Sequence, residues 1–298
     1  MPSSFTAGMG TARRPTGPWL ALVVAALVML LVGGTVGAVV NVLATGTLTP
    51  DPGTLRGQLA MLVGGFLPVA GALWLWIRVK ERRPFASVGF TSPPRHLATG
   101  ILAAAGSFSL IVLITVLCGQ TVVDGPPRWG VLGGVLLALL AYAVQASTEE
   151  LLCRGFLLQA LARRWGVLAG VVVQALLFAA LHTGNIGGLQ VLALVNLVLF
   201  GLFTAGWAIA EGGLWGVCGF HLAWNWVQGN VFGASVSGTP VETALLDLRN
   251  TGPSVWNGAA FGLEASLVTT AVLLLGCLLV LPRARQAVGV ANDVPTGR

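Results

Sequence analysis

The sequence predicts an all-α fold, a polytopic transmembrane helix bundle of about eight spans, and three observations lead to it. Of 298 residues, 55% are hydrophobic and only 9% are charged, against about 25% charged in soluble domains. The mean hydropathy is +0.86. Apolar runs near the ~20 residues that cross about 30 Å of hydrocarbon recur at 19–43, 58–79, 97–119, 130–160, 167–182, 189–210, 214–233 and 264–281. Together these exclude an ordinary soluble domain and a disordered chain.

The first run follows Arg13 and Arg14, is longer than a signal-peptide core and lacks a clear small-residue cleavage site, so it reads as a retained span. Further basic residues gather at Arg78 through Arg83, at Arg95, at Arg163 and Arg164, and at Arg283 and Arg285. Strict alternation of the spans puts all of these loops on one side. The positive-inside rule makes that side the cytoplasm, with both termini there; the expected location is a bacterial-type plasma membrane. The net charge of +6 therefore reads as topology rather than a nucleic-acid patch, and no nucleic-acid partner is expected. The organisation that follows is a cytoplasmic tail over 1–18, a membrane domain over 19–282 and a second cytoplasmic tail over 283–298. The loops around Asp51, Asp124 and 234–263 belong outside. There, Thr239-Pro240-Val241-Glu242 has the spacing of a capping box with proline at the first helical position. That spacing predicts a short interfacial helix over 240–249, with Leu245 and Leu248 facing the bundle.

Ionisable residues inside the apolar runs are the exceptions to explain, because a charge at bilayer depth costs about 3 kcal/mol unless it is paired. Glu149 and Glu150 share the fourth run with Arg154. Glu150 and Arg154 are four apart with the acid N-terminal, which favours an ion pair. Glu149 is turned about 100° away around the axis, so its carboxylate stays free to polarise water. Phe178 and His182 share a face of the fifth run, the ring packing on and shielding the imidazole. His221 and Asn225 form a third four-spaced pair in the seventh run. The remaining histidine, His96, falls in a basic loop and reads as solvated. The four cysteines, Cys118, Cys153, Cys218 and Cys277, lack metal-ligand spacing.

Depth tests whether these residues can meet. Glu149 lies roughly 21 Å of helical rise from Arg163, and His221 about 15 Å past Glu211. His182 would be about 27 Å from Arg164 in an unbroken helix, but about 18 Å from Gly170 if the helix restarts after Trp165-Gly166. The second arrangement is the one expected.

The three motifs, Glu149-Glu150-Leu151-Leu152-Cys153-Arg154, Phe178-Ala179-Ala180-Leu181-His182 and His221-Leu222-Ala223-Trp224-Asn225, follow in this order on separate runs. In that combination the chain resembles the CPBP intramembrane proteases, which include type II CAAX prenyl endopeptidases and bacteriocin-processing relatives. The resemblance covers roughly 145–230. It implies a bundle with a cavity open to cytoplasm and lipid, in which the peptide bond of a membrane-associated or lipidated substrate is hydrolysed. By the same resemblance Glu149 activates water with help from His182, His221 and Asn225 hold the scissile carbonyl or its oxyanion, and Glu150 and Arg154 order the site.

Glu149, His182 and His221 would also make a catalytic zinc set with water as fourth ligand. The adjacent-turn histidine spacing of a zincin is missing, so a metalloprotease with one divalent metal such as zinc and a metal-free glutamate and histidine hydrolase both stay open. The expected partners are membrane lipid and a peptide or membrane-protein substrate. Two rival readings are a non-catalytic scaffold or bacteriocin-immunity protein of the same fold, and a transporter with a proton relay, for which no inverted repeat is visible.

Overall fold

A computed structural model describes residues 5–48, 51–185 and 191–292. Eight apolar helices follow in chain order: α1 (Pro18–Thr45), α2 (Leu55–Glu81), α3 (His96–Leu117), α4 (Trp129–Trp165), α5 (Val167–Leu181), α6 (Val191–Glu211), α7 (215–231) and α8 (Leu267–Asn292). Each predicted apolar run has its helix. Six of them are long and apolar enough to cross a membrane. The other two are shorter: α5 has 15 residues and α7 has 12 followed by 5, rises of about 22 and 26 Å. Neither covers the full ~30 Å of hydrocarbon.

Local chemistry sets the helix boundaries. Pro18 opens α1 at a position where its missing N–H costs nothing. Arg163 and Arg164 occupy the last turn of the helix that ends at Trp165, where cations suit the helix dipole. Gly166, at φ +87, then breaks the chain between α4 and α5, as the depth argument expects. L side chains rarely adopt that backbone conformation.

The innermost helix is α7, in which every residue from 216 to 225 is buried. It lies directly against α3, where a Cβ on Gly100 would run into the Gly216 carbonyl and one on Gly219 into that of Leu97. This close approach fixes the helix that carries the third motif. The basic clusters meet at one end of the bundle. There, Arg14 N–H donates to the Glu81 carbonyl (3.2 Å) and Leu214 N–H to that of Gly89 (2.9 Å).

Several expectations change. The segment read as a cytoplasmic N-terminal tail carries a 3₁₀ helix over Phe5–Thr11 that buries Phe5 and Met9. The final helix runs ten residues past the predicted boundary at 282, to Asn292, while 293–298 lie outside the described residues. His96 is only partly solvated, its side chain 29% exposed and its Nδ1 3.2 Å from Glu211 Oε1. The predicted helix over 240–249 does not form. Leu248–Asn250 pairs instead as a strand, antiparallel to Thr121–Val123. The backbone groups that a helix would have satisfied are used elsewhere, since Leu245 N–H donates to the Asn230 carbonyl (2.9 Å) and Leu246 N–H to that of Val231 (2.9 Å). Long-range pairing with the end of α7 outweighs the local capping signal. Leu248 is buried, as expected, but from a strand.

Candidate active site

Glu149 and Glu150 sit near the middle of α4, and both are buried. One oxygen of Glu150 is held from two directions: Arg154 Nη1 donates to Oε1 at 3.1 Å, and His221 Nδ1, reaching across from α7, meets the same oxygen at 2.8 Å, while Oε2 has no hydrogen-bond partner among the described residues. With a carboxylate as acceptor, that imidazole nitrogen carries the proton. The other ring nitrogen, Nε2, lies 3.7 Å from Glu149 Oε2. Glu149 Oε2 itself has no hydrogen-bond partner among the described residues. Glu150 has one oxygen bonded to Arg154 and His221, whereas Glu149 has only the longer approach of His221.

His182 caps the C-terminus of α5. Its Nδ1 is 2.8 Å from the Phe178 carbonyl, one of the acceptors that a helix end leaves free. That bond puts the proton on Nδ1 and leaves the Nε2 lone pair available. Phe178 does more than shield this imidazole. Its ring lies 4.8 Å from the Arg154 guanidinium centre, 4.7 Å from the His182 ring and 6.0 Å from that of His221. The cation over its face contributes about 2 kcal/mol when desolvated, so one ring ties two motifs together.

A cavity of about 270 Å³ opens on these groups, bounded by Glu149, His182 and Asn225. Its other wall is mainly apolar, with Met29 from α1 and Met61 and Phe66 from α2 beside Gln58. Carboxylate, imidazole and amide therefore converge from α4, α5 and α7. His221 stands behind this cavity, on an adjoining void of about 20 Å³ that it shares with His182.

Two polar residues at the site escaped the sequence reading. Gln145 Oε1 accepts from Asn225 Nδ2 at 3.0 Å; its position one turn before Glu149 on the same face was the available signal. Glu264, buried just ahead of α8, accepts from Trp224 Nε1 at 3.1 Å. Nothing in its surroundings in the sequence distinguishes it.

The metal question divides. Both imidazoles donate Nδ1–H to an oxygen and keep Nε2, the usual arrangement of metal-bound histidines. Yet among the described residues no three His, Cys, Asp or Glu side chains group so as to hold an ion. Glu149, His182 and His221 do not form a ligand set in this arrangement.

Residues 131–227 match the family profile described as type II CAAX prenyl endopeptidase Rce1-like. No curated protein and no solved structure matches the chain. The matched stretch begins with α4 and ends within α7, so it contains all three motifs and the Gln145–Asn225 bond. With these motifs on apolar helices, the chain is an integral membrane protein whose 131–227 segment is similar to the type II CAAX prenyl endopeptidase Rce1-like family.

Proposed function

We propose that this protein is an intramembrane endopeptidase that hydrolyses a peptide bond of a membrane-associated or lipidated substrate, with Glu149 as the base. The observation that carries the reading is the unpartnered Glu149 Oε2 on a cavity wall shared with His182 and Asn225. A buried carboxylate oxygen without a donor is costly to maintain, and beside a cavity it is ready to take a proton from water.

In this reading Glu149, assisted by the His182 Nε2 lone pair, removes a proton from water as the oxygen bonds to the scissile carbonyl carbon. Asn225 has two Nδ2 protons. One is donated to Gln145 and the other is free to stabilise the oxyanion. As the tetrahedral intermediate collapses, the C–N bond breaks and the stored proton passes to the leaving amine. His221, expected beside Asn225 on the oxyanion, has Nδ1 on Glu150 and Nε2 toward Glu149; we assign it to holding the two glutamates. Glu150 and Arg154 keep that imidazole in place. The apolar wall from α1 and α2 suits a lipid-embedded or lipid-modified substrate. The positive-inside rule makes the basic end cytoplasmic, with both termini there.

Glu149→Gln is expected to lower cleavage by about 10²–10⁴-fold, with melting in detergent unchanged. Comparison of membrane proteins that accumulate with wild type and with this variant would identify the substrate. Full cleavage by the variant would overturn the assignment of the base, and a full biological effect without cleavage would favour a scaffold. Because the three candidate ligands are not gathered, activity is expected to survive chelation and metal-free dialysis. Loss of activity that zinc restores would put Glu149, His182 and His221 around an ion.

A further inference from the structure

We propose that Glu264, which lies outside the family-matched stretch, is a positioning residue. It fastens the outer wall of the cavity to the helix bearing His221 and Asn225. The proposal rests on the protease reading of that site for its kinetic consequence alone.

Glu264 is 9% exposed and forms no ion pair with Lys, Arg or His among the described residues. Burying a carboxylate without a counter-ion is unfavourable unless several donors converge on it, and here three do. Trp224 Nε1 donates to Oε1 at 3.1 Å, while the Ser237 N–H and hydroxyl donate to Oε2 at 2.7 and 2.9 Å. The residue's own backbone is pinned from α6, where Asn196 Nδ2 donates to the Glu264 carbonyl at 2.7 Å. Two oxygens accepting three hydrogens is a task for a carboxylate. A glutamine would present an NH₂ where one of those oxygens stands.

Each partner lies next to the proposed chemistry. Trp224 sits between His221 and Asn225 in the sequence and is fully buried. It lies edge-on to Phe200 at 5.9 Å, and Phe200 packs on the His221 ring at 4.9 Å. Ser237 is the first central residue of a tight turn closed by Val236 and Thr239, whose N–H groups each donate to the other's carbonyl at 2.8 Å. Ser237 and Gly238 have φ of +46 and +83, the type I′ pattern that favours Asn or Gly at the first position. Serine there is strained, and the two bonds to Glu264 hold it. Val236, Ser237 and Thr239 form part of the wall of the cavity that contains Glu149, His182 and Asn225. Ser237 and Glu264 also border the small void against His182 and His221. One carboxylate thus sets both the wall and the helix facing it.

The test compares wild type, Glu264→Gln and Glu264→Gln with Ser237→Gly in phosphatidylcholine vesicles. Hydrogen exchange is followed over 236–239 and over 145–154, and steady-state kinetics are measured on an internally quenched peptide with a prenylated cysteine. Glu264→Gln is expected to speed exchange in the turn at least tenfold while 145–154 keeps its protection. It should raise KM at least fivefold with kcat within twofold. Adding Ser237→Gly, which accepts positive φ freely, should restore both. Unchanged exchange in the turn, or a fall in kcat with KM unmoved, would overturn the proposal. If Glu264→Gln does not fold, Ser237→Ala removes one bond to Oε2 and should quicken the same exchange about threefold; no change there overturns it equally. If wild type cleaves no peptide, the protease reading fails while the exchange result still decides whether Glu264 clamps the turn.

Discussion

Two buried glutamate–arginine clusters lie in this bundle, and their difference separates structural from chemical use of charge. At the basic end, Glu81 and Arg83 are almost wholly buried, with Arg83 Nε on Glu81 Oε2 at 2.6 Å and Nη1 on Gln159 Oε1 at 2.7 Å. The second oxygen of Glu81 accepts from the Thr16 hydroxyl. One acid meets one base, and only Arg83 Nη2 lacks a partner. Burial lowers the Arg83 pKa from its ordinary value, with Glu81 acting in the opposite direction. In the middle of α4 two acids meet one guanidinium. Glu149 Oε2, Glu150 Oε2, Arg154 Nε and Arg154 Nη2 are all without hydrogen-bond partners. The first cluster is closed and joins segments. The second retains spare acceptors beside a cavity, which is what a proton-transfer site needs.

Replacing both members of each pair with apolar residues puts that contrast to its strongest test. Glu81→Leu with Arg83→Met should leave cleavage intact, because a buried pair can be exchanged for hydrophobes at little cost. Glu150→Leu with Arg154→Met should abolish cleavage, because His221 loses the carboxylate that holds it. Breaking either pair singly, with Arg83→Met or Arg154→Met, should cost about 3–5 kcal/mol in unfolding. Retained cleavage in the Glu150 and Arg154 double variant would dissolve the distinction. A finer comparison lies within the site itself. Asn225→Ala should lower kcat by about 10²–10³-fold through the lost oxyanion donor. Gln145→Leu removes only the bond that orients the amide, so it should cost about 1 kcal/mol, roughly a fivefold loss. An effect of Gln145→Leu equal to that of Asn225→Ala would make Gln145 itself a contact to the reacting atoms.

What could be read directly from the sequence was whatever helical periodicity and polarity control. The apolar runs, the break at Gly166 and the Glu150–Arg154 pair are all local, and each followed from spacing. Convergence of the three motifs could be argued only by depth along the helices and by resemblance, and the shared cavity is its geometric counterpart. Tertiary partners were not legible. His96 meets Glu211 across 115 residues of chain, and the 240–249 segment trades its capping box for pairing with the end of α7 and with Thr121–Val123. The orientation of His221 toward the glutamates is tertiary as well, because a four-residue spacing says that His221 and Asn225 share a face but not what that face meets.

The docked start of the chain has a practical consequence for anyone producing the protein. Gly8 is packed so closely against Ser87 and Gln159 that even a methyl group there would collide with both, and Gln159 belongs to the helix that presents Glu149. A purification tag or fluorescent fusion joined just ahead of Phe5 would lie beside this packed helix. Labels placed after α8 avoid disturbing that seam.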